Sequence, residues 1–163
     1  MAKKEDKTNV MRLLDQKKIS YERIDFEEFE STNGVEIAEY LGENPSQAFK
    51  TLVTIGKSKQ NYVFVIPVNE ELDLKKAAKA AGEKSIEMIK QKDLLPLTGY
   101  IHGGCSPIGM KKVLPTFIHE SASAFDSIYV SAGRVGHQIK IAPADLLKLV
   151  KYSFADVVLV KEV

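Results

Sequence analysis

Two spacings of apolar residues alternate along the chain, and they predict its elements. Val10, Leu13 and Leu14 recur at i, i+3 and i+4 behind the capping residue Thr8, predicting a first helix that stops near Lys17 and Lys18. Tyr21 to Phe26 follows as a short, weakly patterned strand. Val35, Ala38 and Leu41 predict a second helix after the cap-like Ser31-Thr32-Asn33, with Gly42 at its stop. Thr51 to Ile55 reads as a strand ending at Gly56. Asn61 to Pro67 is apolar on both parities, the pattern of a central strand buried on both faces. Behind Asp73, a stripe of Leu74, Ala77, Ala78 and Ala81 closed by Gly82 predicts a helix packed tightly on a sheet. Ser85 to Met88 reads as a short strand, and Ile89 to Leu95 as a short helix that Pro96 closes. Thr116 to His119 and Ser127 to Val130 are predicted strands separated by a helical turn near Ala122 to Phe125. His137 to Ile141 alternates cleanly as another. Pro143 opens a last helix with Leu146, Leu149 and Val150 inward, and Phe154, Val157 and Leu159 predict a closing strand or docked tail.

No internal repeat or low-complexity linker interrupts this order. Helices and about seven short strands interleave, which is the pattern of an α/β domain with a mixed sheet and flanking helices. At 163 residues one domain is expected over residues 1–163, with a flexible, mixed-charge tail at residues 1–7. A composition of 44% hydrophobic and 28% charged residues is that of an ordinary globular chain, and a net charge of +1 leaves no global footprint for nucleic acid. Any RNA contact must then be local or helped by a partner. No apolar run reaches the length of a spanning helix, and one cysteine forms no internal disulfide framework, so no membrane role and a cytoplasmic location are expected.

Chemistry concentrates in two glycine loops. Gly99-Tyr100-Ile101-His102-Gly103-Gly104-Cys105-Ser106-Pro107-Ile108-Gly109 holds four of the ten glycines, and Ser131-Ala132-Gly133-Arg134-Val135-Gly136 holds two more. Such loops either gather backbone N–H groups around a ligand or are tight turns. Lys50, between Phe49 and Thr51 at the start of a strand, is either a snorkelling surface lysine or a cation that binds an anion or polarises a carbonyl. His102, Cys105, His119 and His137 show no paired spacing of metal ligands, and no third group completes a Cys–His nucleophile. No Ser–His–Asp set or phosphate-binding lysine motif is present, so neither metal nor cofactor is expected. Catalysis by such a chain rests on binding, backbone donors and the substrate itself.

Four segments in order resemble a known family: Ala48-Phe49-Lys50-Thr51-Leu52, Leu72-Asp73-Leu74-Lys75-Lys76, the run from Thr98 to Gly109, and Ser131-Ala132-Gly133-Arg134. Together, from about Val10 to Asp156, they resemble the YbaK/EbsC family of Cys-tRNA(Pro) deacylases, related to the editing insertion domain of bacterial prolyl-tRNA synthetases. The resemblance implies a partly barrel-like sheet with flanking helices. It implies an aminoacyl-tRNA deacylase, a hydrolase of the aminoacyl ester with a lyase-like cyclisation for cysteine, in which the substrate thiol attacks its own ester carbonyl. The alternatives are an alanyl-tRNA(Pro) deacylase and a non-catalytic aminoacyl-tRNA or nucleotide-binding module. By the same resemblance Lys50 anchors the terminal adenosine and the ester, and the amides of Gly103, Gly104 and Cys105 serve the carbonyl or its oxyanion. Tyr21, Phe29, Thr51, Ser106, Pro107, Ser131, Gly133 and Arg134 are the substrate-binding candidates. The implied partners are the 3′ end of aminoacyl-tRNA and, transiently, prolyl-tRNA synthetase. The chain departs from common family wording at Cys105, often branched and apolar, at Val135, often basic, and at His137 beside Gln138.

Overall fold

A strand buried at every position after its first organises the molecule, whose computed structural model describes residues 6–161. Helix α1 (Asn9–Gln16) is capped by Thr8, whose Oγ1 accepts from Met11 N–H at 3.2 Å. Then come β1 (Glu22–Asp25), α2 (Gly34–Leu41), β2 (Phe49–Gly56) and β3 (Asn61–Pro67). Helix α3 (Leu74–Ala81), β4 (Ile86–Met88) and α4 (Gln91–Thr98) follow. The chain closes with β5 (Thr116–His119), a 3-10 turn (Glu120–Ala124), β6 (Ile128–Ser131), β7 (His137–Ile141), α5 (Pro143–Leu146) and β8 (Tyr152–Ala155).

The eight strands among the described residues form two sheets, ordered β1-β7-β6 and β4-β2-β3-β5-β8. The first is antiparallel. In the second, β2 runs antiparallel to β3 and β4, while β3, β5 and β8 run parallel. A parallel bridge between Ala48 and Tyr129 ties the sheets together. The expected α/β class holds, with the strands divided between two joined sheets.

β3 explains the division of the core. Val63 and Val65 face one side with Val53, Ile118, Ile139, Ile141 and the α1 residues Val10, Met11 and Leu14. Tyr62, Phe64 and Ile66 face the other side with Ala77 and Ala78 of α3. Burying Phe64 alone stabilises the fold by about 2–3 kcal/mol. The alanines let α3 sit close, and Asp73 Oδ1 caps it by accepting from Lys75 and Lys76 N–H at 2.9 and 3.1 Å.

Two local expectations change. Helix α4 continues through Pro96 to Thr98 and stops at Gly99, whose φ of 85° lets its N–H reach Leu95 O at 2.9 Å. Thr98 Oγ1 also donates to Leu94 O at 2.8 Å, so the turn around the proline stays closed. Phe154 is 44% exposed at an edge strand, and Val157 is the buried anchor of the closing segment. Of the tail expected over residues 1–7, residues 1–5 lie outside the described residues. Asp6 O accepts from Arg23 Nη2 at 3.0 Å, and Lys7 pairs with Asp15. No helix among the described residues is long and apolar enough to cross a membrane.

Candidate active site

β3 covers one edge of β2 along nearly its whole length, but β4 covers the other only from Thr54 to Gly56. Odd-numbered residues turn their backbone groups to that second edge. Ile89 N–H donates to Val53 O at 3.3 Å and Lys57 N–H to Ser85 O at 3.0 Å, whereas Ala48 O accepts from Val68 N–H on the β3 side. The N–H and C=O of Thr51 therefore lie on an open stretch of strand edge. A cavity of about 190 Å³ opens against it.

Lys50, Thr51 and Leu52 supply the β2 wall, and Ser131 and Gln138 that of β6 and β7. His102, Gly103 and Cys105 come from the first glycine loop, while Phe26, Thr32 and Ile37 reach in from β1's end through α2. Lys50 has no carboxylate within ion-pairing distance among the described residues; burial lowers its pKa, opposed by the fields of Glu71 and Glu70. A half-buried ammonium without a counter-ion is suited to an anion or a polarised carbonyl.

The loop opposite is shaped by Gly103, whose φ is 87°. A Cβ there would lie 2.7 Å from Thr32 Cγ2, so only glycine fits. Gly104 N–H is already spent on Ile101 O at 3.0 Å, closing a turn, so of the three amides expected to serve the carbonyl those of Gly103 and Cys105 stay without a backbone acceptor among the described residues. Burial pushes the Cys105 thiol up to about 12, so it stays protonated near neutrality and is a poor nucleophile.

Of the residues singled out in the sequence, the cavity brings together Lys50, Thr51, Gly103, Cys105 and Ser131. The others lie elsewhere. Tyr21 packs on the core and donates to Asp15 Oδ1 at 3.1 Å; Phe29 stacks on Tyr40 with ring centroids 4.3 Å apart. Ser106 is fully buried and its Oγ accepts from Ile108 N–H at 3.2 Å, so it shapes the loop, with Pro107 beside it, from within. Gly133 and Arg134 border a separate, open hollow with Asp6, Lys7 and Arg12, where Arg134 lies 3.5 Å from Asp6. Of the four residues weighed as metal ligands, His102, Cys105 and His137 line the cavity, whereas His119 lies apart on β5 and accepts from Val157 N–H at 3.3 Å.

Two cavity residues, His137 and Gln138, stand outside the catalytic and substrate-binding candidates. His137 Nδ1 donates to Asp25 Oδ1 at 2.8 Å, and its Nε2 lies 3.2 Å from Glu27 without hydrogen-bonding geometry. Burial opposes ionisation of Asp25, but hydrogen bonds from His137 and Arg23 hold its carboxyl below the usual value. Gln138 shares the parity of the charged Lys140 in the alternating run His137 to Ile141. It is only 8% exposed, because the chain leaving α2 covers it with Glu43, whose Oε1 accepts from Gln138 Nε2 at 3.2 Å. The sequence marks the pair as a departure from the family wording, His137 beside Gln138 in an otherwise well-patterned strand.

A sheet edge, an unpaired lysine and a glycine loop enclosing one small cavity define the protein's class. The chain belongs to the aminoacyl-tRNA editing domain family, which residues 30–149 match. Among its relatives is EbsC of Enterococcus faecalis, named as a candidate Cys-tRNA(Pro)/Cys-tRNA(Cys) deacylase; the two are 49% identical over 96% of this chain and 98% of EbsC. A proline–tRNA ligase of Shouchella clausii is 28% identical over 66% of this chain, a stretch that is 19% of the ligase. Among solved structures, a candidate trans-editing enzyme for prolyl-tRNA synthetase superposes with a TM-score of 0.76 at 25% identity, covering 86% of this chain and 87% of the other. The hypothetical protein APE2540 shares the fold with a TM-score of 0.85 at 20% identity, over 93% of this chain and all of the other.

Proposed function

We propose that this enzyme is a trans-editing deacylase that removes cysteine from mischarged Cys-tRNA(Pro), and from Cys-tRNA(Cys) where that is presented, by cleavage assisted by the substrate thiol. One observation carries the mechanism: the cavity holds a cation and open backbone donors, while its own thiol is protonated near neutrality. The attacking group then comes from the substrate or from water.

The aminoacyl ester of the tRNA 3′ end enters along β2, with Lys50 anchoring the terminal nucleotide and ester. The amides of Gly103 and Cys105 receive the carbonyl oxygen and the negative charge it gains in the tetrahedral intermediate. The substrate sulfur attacks its own carbonyl carbon, the bond from that carbon to the ribose oxygen breaks, and the thiol proton passes to the leaving ribose oxygen, which departs as a hydroxyl. The cyclic thiolactone left behind is opened by water to free cysteine. Orientation is the main demand of such an intramolecular attack, and a shaped cavity supplies it. The likeness to EbsC supports the cysteinyl substrate, and the match to part of a proline–tRNA ligase supports tRNA(Pro).

The test compares deacylation of Cys-, Ser- and Ala-tRNA(Pro). Cysteine is expected to leave ~100-fold or more faster than serine, the scale that an intramolecular nucleophile commonly gains. Equal rates for the cysteinyl and seryl esters would rule out thiol attack, and a preference for alanine would favour an alanyl-tRNA(Pro) deacylase.

A further inference from the structure

We infer that Gln138, aimed by Glu43, is the subsite for the α-amino group of the aminoacyl ester. This rests on reading the cavity as an aminoacyl-ester site. Gln138 stands in the middle strand of the small sheet, paired in register with Ser131, and both side chains share the face that lines the cavity. The side chain is more than nine-tenths buried, yet its Oε1 has no hydrogen-bond partner. A native structure rarely leaves such an atom orphaned unless a ligand or water completes it.

Its orientation is set by its neighbour: Gln138 Nε2 donates to Glu43 Oε1 at 3.2 Å, so the amide oxygen is turned away from the carboxyl. Thr51 Oγ1, on the β2 wall, is likewise buried without a partner. The cavity thus offers a cation and N–H donors together with two buried oxygens that lack partners, Thr51 Oγ1 and Gln138 Oε1. An aminoacyl ester has the complementary pair, a carbonyl that accepts and an α-ammonium that donates.

Electrostatics favours a cation at this spot over a neutral donor. The Glu43 carboxylate behind the amide polarises it, making Oε1 more negative. Burial raises the Glu43 pKa to about 7, opposed by its bond to Gln138 and the field of Lys140. That carboxylate is short of positive charge, and a bound ammonium supplies it through the amide. Gln138 is the binding residue and Glu43 the positioning residue.

A stable ligand separates this inference from the chemistry. 3′-Deoxy-3′-(cysteinylamino)adenosine keeps the amino group and thiol but replaces the ester by an amide; its deamino counterpart carries 3-mercaptopropionyl instead. Calorimetry near neutral pH on wild type, Gln138→Leu and Glu43→Gln reads the affinity ratio of the two ligands. Wild type is expected to prefer the amino ligand by roughly tenfold or more, as for a hydrogen bond to a charged group. Gln138→Leu should bring the ratio near one, and Glu43→Gln should lower it while leaving deamino-ligand affinity unchanged. A merely structural role would weaken both ligands alike. A wild-type ratio near one, or a ratio that survives Gln138→Leu, overturns the inference. Wild type that shows the expected ratios but leaves Cys-tRNA(Pro) uncleaved would sink the deacylase reading and keep this one.

Discussion

Lys50 and Glu43 each carry a charge that their surroundings resist. Burial lowers the Lys50 pKa, so the folded state binds its proton less firmly than the unfolded chain does. The charged lysine therefore costs stability at neutral pH, a cost relieved only as pH rises through the lowered folded pKa. Lys50→Met removes the charge and keeps the apolar stem. Thermal melts should show an unchanged or higher Tm, while kcat/KM for Cys-tRNA(Pro) falls by ~100-fold or more, as on removal of a single transition-state donor. Retained activity would refute the role given to Lys50. Glu43 behaves in the opposite sense, its pKa raised from the ordinary 4.5 to about 7 by burial. Between those values the folded state holds more protons than the unfolded state, so stability falls as pH rises through that window. In Glu43→Gln that fall should shrink: Tm matches wild type near the low end and exceeds it above the high end. Parallel Tm curves would show that the carboxyl is not strained in the fold.

At the scale of elements, the glycine loop and β2 work as a pair, and the first is set by sterics. Gly103→Ala meets Thr32 Cγ2 at 2.7 Å and takes a residue with a side chain to a φ of 87°. A loss of about 1–2 kcal/mol is expected from the backbone alone, lowering Tm by roughly 2–8 °C. Moving the loop amides off the carbonyl should cost more in kcat/KM than the melt implies. Adding Thr32→Ala should restore the steric part and leave the backbone part, a separation readable in the double variant. The elements themselves were largely legible. Thr8, Asp73, Gly42 and Gly82 mark helix ends through hydrogen bonds local to the sequence. Pro96 misled because its missing N–H costs one bond, while Gly99 and Thr98 supplied the real stop. At Gln138, alternation reports which face the residue occupies, and not that Glu43 covers that face.

For the whole molecule, 23 basic and 22 acidic side chains nearly cancel. Phosphate neutralisation dominates affinity for nucleic acid, so the isolated chain is expected to bind tRNA(Pro) weakly, with a shallow salt dependence. On the proposed function, selection of the tRNA is expected to fall to a transient complex with prolyl-tRNA synthetase. Sedimentation of the isolated protein with tRNA(Pro), with and without the synthetase, tests this; tight binding by the isolated chain would contradict it. The deacylation assay should show a lower KM when the synthetase is added.

Periodicity, caps and turn residues lie within a few positions of one another, and those short-range rules were enough for the helices, for β3 at the centre and for the α/β class. The four ordered segments were enough to single out Lys50 and the loop from Gly103 as a pair. Only long-range packing could show that β4 stops at Thr54 and leaves Thr51 on an open edge. The same packing spends the Gly104 amide within its own turn, keeps Tyr21 and Phe29 off the cavity, and brings Glu43 over Gln138, 95 residues further along the chain. Burial and hydrogen-bond satisfaction are properties of neighbours in space, and the order of residues does not state them.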